Sequence, residues 1–284
     1  MEVQSSDKSL KHQNFINSFS IKDEPVVGNY NKLHHSLDLV HSEFVDKEKL
    51  PGPAQQYASL FQKAAAEMIS TFILVFVGCG AAMVDTETHG KITGNGVAAT
   101  FGLLVLMMIY SVGHISGAHM NPAVTFAFAS LQQIPWVQVP VYIFSQLAAS
   151  ICASLALKEL LKPVELVGIT HPAGGIVRSL VLEILLTYIL MFVITSVSNN
   201  PSVGDLSGLV VACTIAVNSI FGGPISGASM NPARTIGPAI ASNSYTGIWI
   251  YILGPALGAL GGAWSFKLLN PRAQKNQKTM PSSI

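Results

Sequence analysis

Ile115-Ser-Gly-Ala-His-Met-Asn-Pro-Ala-Val-Thr-Phe126 returns 110 residues later as Ile225-Ser-Gly-Ala-Ser-Met-Asn-Pro-Ala-Arg-Thr-Ile236, with nine of twelve positions identical. Within each copy, Asn is a good helix cap and Pro suits the first helical position. Asn121-Pro122-Ala123 and Asn231-Pro232-Ala233 therefore read as helix starts. The apolar stretches that follow, Ala123–Leu131 and Ala233–Ser242, are far shorter than the roughly 20 residues that cross a bilayer. One such segment reads as a surface turn, but two in matching surroundings read as a pair of half-helices. A fainter repeat places Glu67 and Thr71 against Glu183 and Thr187, at an offset of 116. Two matches in the same order mean two homologous halves.

Six longer apolar stretches flank the boxes: residues 64–84, 94–114, 137–157, 176–197, 206–222 and 247–268. Each is long enough to cross a hydrocarbon core of about 30 Å. Polar stripes, which a soluble core helix would carry, are almost absent. So is the period-two alternation of a transmembrane barrel. Each half holds three spans, and three is odd, so the second half enters the membrane inverted relative to the first. The predicted fold is an all-α membrane protein with six transmembrane helices and two re-entrant half-helices in an inverted 3+3 repeat. Composition agrees: of 284 residues 50% are apolar and 11% charged, with mean hydropathy +0.46, whereas soluble domains carry about 25% charge. A net charge of +1 does not suggest nucleic acid as a partner. Cys79, Cys152 and Cys213 fit neither a disulfide framework nor a zinc site.

Residues 1–60 hold fourteen charged side chains and no apolar run, and read as a disordered polar tail. Residues 61–269 read as one membrane domain, with repeats over about 61–160 and 161–269. Residues 270–284 are a short basic tail. Six spans put both ends on one side, and Lys47, Lys49 and Lys63 near the first span with Lys267, Arg272, Lys275 and Lys278 near the last place that side in the cytosol. Lys158 and Lys162, in an outward loop, weigh against this.

Half-helices entering from opposite faces and meeting near the midplane bring two partial positive charges together. Irregular backbone at that depth survives only in protein or along a wet cavity. Such a site, with Asn121 and Asn231 adding amide donors, repels cations and breaks a proton wire while passing neutral solutes. Arg234, alone in an apolar stretch, reads either as a pore donor or as half of a structural ion pair. Glu67 and Glu183 read as braces for loop backbone, with proton relay as the alternative. His119 either lines the pore or is a hydrogen-bonded structural residue. A coupled secondary transporter is a rival reading, but no further intramembrane Asp or Lys is present to form its ion site. A Ser116–His119 hydrolase is a weaker rival, because the twin loop carries Ser226 and Ser229 without a base.

At these residues the chain resembles the aquaporins, or major intrinsic proteins, over about residues 60–270. Both Asn-Pro-Ala boxes, Ala66-Glu67, Leu182-Glu183 and Arg234 carry the likeness. Gly113-His-Ile-Ser-Gly-Ala-His119 and Leu74-Val-Phe-Val-Gly-Cys-Gly80 look like the plant nodulin-26-like branch. The resemblance implies a passive channel with no enzymatic activity, no cofactor and no metal. Its solutes would be water, glycerol and uncharged acids such as boric or arsenous acid. It implies a homotetramer in the bilayer, with the plasma membrane as its location. Family spacing assigns the selectivity ring to Phe101, Ser219, Ala228 and Arg234. Ser219 stands where water-selective relatives have His, which argues for a wider ring, whereas Phe101 argues against the bulkiest solutes. The set matches neither the Trp-Val-Ala-Arg nor the Gly-Ser-Gly-Arg pattern of that branch, and a predominantly water-selective pore is the alternative. Ser282 and Ser283, with Thr279 nearby, are tail positions for a kinase.

Overall fold

In the computed structural model, residues 53–162 and 168–271 are described. The two tails, with Ser282 and Ser283, lie outside them apart from the stretches next to the first and last spans. Among the described residues, six helices are long and apolar enough to cross a membrane. They are α1 (Pro53–Glu87), α2 (Gly94–Ser116), α4 (Gln138–Leu160), α5 (Ile176–Ser198), α6 (Ser207–Ser226) and α8 (Ile250–Leu269). Between them sit the half-helices α3 (Pro122–Ser130) and α7 (Pro232–Ala241). Among the described residues there is no strand.

The helices outrun the apolar windows for local reasons. α6 continues past residue 222 with Pro224 in its final turn, and it stops at Gly227 with φ 86°. α2 stops in the same way at Gly117 with φ 88°, whose N–H donates to the Gly113 carbonyl. A left-handed glycine after the last turn is the usual helix stop, and here it turns the chain back toward the centre.

Packing follows the repeat. α1 contributes Val75, Cys79 and Met83 to a buried cluster with Ala153 and Leu157 of α4. α8 lies along α5 with glycines at the contact, and α2 faces α6. The half-helices cross over: α7 packs on α4, and α3 on α8. Each short helix is thus held by the last span of the opposite half. Outward faces carry exposed Leu103, Met107, Phe144, Val217, Phe221 and Leu257, a surface suited to hydrocarbon.

Candidate functional site

The loop before each half-helix is irregular and buried. Ala118 and Met120 take φ of 48° and 51°, and their counterparts Ala228 and Met230 take 42° and 52°. Non-glycine residues are rare in this left-handed region. The conformation turns successive N–H groups to one side, where they form an anion-binding nest. A buried carboxylate fills each nest. Glu67 accepts from His119 N at 2.8 Å, Met120 N at 2.7 Å, Ser116 Oγ at 2.7 Å and Gln146 Nε2 at 2.8 Å. Glu183 accepts from Ser229 N at 2.9 Å, Met230 N at 2.8 Å and Ser226 Oγ at 2.7 Å. Tyr142 and Tyr251 complete the symmetry by donating to the carbonyls of Ser116 and Ser226 at 2.9 and 2.7 Å.

Asn121 and Asn231 cap α3 and α7: each Oδ1 accepts from the N–H two residues on, at 2.9 Å. Their amide nitrogens reach across the midplane. Asn121 Nδ2 donates to the Met230 carbonyl at 2.8 Å, and Asn231 Nδ2 to the Met120 carbonyl at 2.7 Å. Each amide has two N–H bonds, so one ties the opposite loop and one remains. Both Asn residues line a cavity of about 380 Å³. The two helix N-termini therefore face one space, where their partial charges add.

That cavity is also lined by Phe101, Val105, His119, Leu190 and Arg234. Among the described residues lining it, Arg234 is the one Lys or Arg, and there is no Asp or Glu. Its Nη1 donates to the Gly168 carbonyl at 2.7 Å, and its guanidinium carbon stands 5.2 Å from the centroid of the Phe101 ring. No carboxylate lies within ion-pair distance of it among the described residues. Phe101 and Arg234 thus come together. Ser219 is half-buried and Ala228 is buried against the α5–α6 core, and neither is among the residues lining this cavity.

His119 is buried against the rings of Phe128 and Tyr142. Its Nδ1 is 3.1 Å from Thr125 Oγ1, which donates to the Asn121 carbonyl and accepts from Gln146 Nε2. With the one hydroxyl proton used on that carbonyl, the network assigns the proton to His119 Nδ1 and leaves Nε2 as an acceptor.

Five participants escaped the sequence reading. Gln146 and Asn218 are isolated polar residues inside apolar helices. Asn218 Nδ2 donates to the Leu186 carbonyl at 2.9 Å and contacts Met230 Sδ at 3.3 Å. Gly168 acts through its carbonyl, which no side-chain pattern reveals. Tyr142 and Tyr251 left a signal, being 109 residues apart, nearly the offset of the boxes.

Helices apposed at their positive ends are poor packing partners in hydrocarbon, and the arrangement makes sense as the wall of a pore. The fold is that of an inverted-repeat membrane channel. Comparison with known proteins gives the particular family: the profile described as Major intrinsic protein matches residues 54–266. Aquaporin NIP2-1 of Zea mays is 49% identical over 226 residues, covering 79% of this chain and 77% of the relative. Aquaporin NIP1-3 of Oryza sativa subsp. japonica is 53% identical over 211 residues, 73% of each. The aquaglyceroporin from Plasmodium falciparum shares the fold, with TM-score 0.67 and 24% identity over 76% of this chain and 99% of that one. The chain belongs to the major intrinsic protein family, within its NIP aquaporins. It is an integral multi-pass membrane channel, not an enzyme.

Proposed function

We propose that this chain is a passive pore for water, glycerol and small uncharged hydroxylated solutes of the boric and arsenous acid kind, closed to protons and ions. The supporting observation is Arg234, the one Lys or Arg among the described residues lining the cavity, set against the Phe101 ring where two helix N-termini also face. Positive potential at a lining without Asp or Glu among the described residues repels cations, while the guanidinium and Asn amides give hydroxyl groups donors to slide along. Phe101 supplies the apolar wall. Ser219 and Ala228 take the other two ring positions by spacing.

A predominantly water-selective pore is the second reading. It is favoured by the close approach of Phe101 to Arg234 and by the position of Ser219 outside the cavity lining. We further assign both termini to the cytosol, the protein to the plasma membrane, and four copies to the working assembly.

The test is light scattering from proteoliposomes after an osmotic step, with water, glycerol and boric acid compared in one preparation. Glycerol or boric acid flux well above that of empty vesicles supports the wider pore. Fast water flux with both solutes excluded selects the second reading. No flux of any of the three overturns both.

A further inference from the structure

Phe101 and Arg234 rest on two consecutive residues of α1. Gly78 is buried against the Phe101 ring: a Cβ there would stand 2.4 Å from Cε1, 2.7 Å from Cζ and 2.8 Å from Cδ1. Real Cβ atoms do not approach carbon so closely, so the ring occupies space that any other residue at position 78 would claim. The next residue, Cys79, is fully buried and supports Gly168. A Cβ on Gly168 would meet Cys79 Cβ at 2.7 Å and Cα at 3.0 Å, and Gly168 has φ of 50°. Glycine is therefore demanded there by space and by backbone conformation together. Gly168 carries the carbonyl that accepts from Arg234. The ring beside the guanidinium and the carbonyl it binds thus both lean on Gly78-Cys79.

We propose that Gly78 is a positioning residue that sets the gap between Phe101 and Arg234, and through it the largest solute that passes. The proposal rests on reading Phe101 and Arg234 as the filter. The remaining surroundings of the ring are packed: it abuts the cluster of Leu74 and Leu104 and that of Val75 and Ala153. Its open side is the cavity. A methyl group at position 78 needs the ring edge to retreat from 2.4 Å to at least 3.4 Å, about 1 Å. We take the retreat to be toward that cavity, which Arg234 also lines. Gly78 touches no solute; it fixes where Phe101 sits.

The experiment compares wild type, Gly78→Ala, Phe101→Ala and the double variant in proteoliposomes, with water and glycerol as probes. Gly78→Ala is expected to lower glycerol permeability about tenfold, the scale of one methyl group in a fitted site, and water permeability by roughly threefold or less. In the Phe101→Ala background the same change is expected to alter neither. An equal loss in both backgrounds shows general damage to the helix and overturns the proposal, as does an unchanged glycerol rate in Gly78→Ala. If Gly78→Ala alone does not fold, recovery of a monodisperse protein in the double variant supports the same steric pair, and failure of both overturns it. If wild type passes water and not glycerol, the solute reading falls by itself. Water then becomes the readout, and a loss confined to the Phe101 background still supports the role of Gly78.

Discussion

At the scale of single residues, charge decides what the pore excludes. Arg234 has a carbonyl and an aromatic face as partners, no carboxylate within ion-pair distance among the described residues, and none on the cavity lining, so its field extends into the cavity. Arg234→Val removes that field while keeping an apolar side chain on Phe101. Cation leak through proteoliposomes is expected to rise by about tenfold, the lower end of what focused potentials do to local ion concentration. An unchanged leak shows that the helix N-termini exclude ions without it. Ser219 tests size in the same way. Ser219→His adds a ring at the position spacing assigns to the filter, and should suppress glycerol more than water; equal loss of both would mark a folding defect. Glu67 offers a stability test. Its carboxylate accepts two backbone N–H groups, a hydroxyl and an amide. In Glu67→Gln an NH₂ replaces one acceptor oxygen, and one or two buried donors go unpaired at roughly 1–3 kcal/mol each. The melting midpoint in detergent should fall, and further than in Glu183→Gln, where three donors are involved. If the two variants melt alike, the extra Gln146 contact contributes nothing.

At the scale of elements, small residues set how closely the spans approach. Gly258 on α8 sits over the backbone of α5: a Cβ there would meet the Ile184 carbonyl oxygen at 2.2 Å and Tyr188 N at 2.9 Å. Main chain cannot step aside, so Gly258→Ala must push the helices apart, costing about 1–3 kcal/mol. Gly261 on the same helix would meet only the Tyr188 ring, at 3.2 Å, and Gly261→Ala should melt close to wild type. Equal destabilisation would mean that the approach of Gly258 to the α5 backbone does not set the cost, since helix propensity alone favours Ala at both positions. This contrast also marks the limit of sequence reading. The spans were legible because apolar runs of membrane length have few other uses, and the half-helices because Asn-Pro appears twice in a repeat. The inverted halves followed from an odd number of spans in each. Gln146 was not legible, since its partner Glu67 lies 79 positions away and an isolated Gln in an apolar run has no period. The carbonyl of Gly168 was beyond reach for a simpler reason: an acceptor on the main chain exists at every residue, and only the fold selects one. Which glycines of α8 touch α5 was equally hidden until the helix was rotated into place.

At the scale of the molecule, the two halves are interlocked, and this bears on how solute can move. A coupled transporter opens to one side by rocking one repeat against the other. Here each half-helix packs on the last span of the opposite half, and α2 of the first half packs on α6 of the second. At the centre, Asn121 and Asn231 exchange hydrogen bonds with the opposite loops. Rocking would break both central bonds at once. Coupling would also need a group that gains or loses an ion during the cycle. The buried carboxylates Glu67 and Glu183 are committed to loop backbone, and the cavity lining carries no Asp or Glu among the described residues. Movement of solute should therefore depend on its own gradient alone. In proteoliposomes loaded at equal glycerol inside and out, an imposed proton or sodium gradient is expected to produce no net glycerol uptake. Glycerol exchange measured with isotope should run at the same rate with and without that gradient. Accumulation above the outside concentration would show coupling. The group responsible would then be sought first at His119, the one His among the described residues lining the cavity.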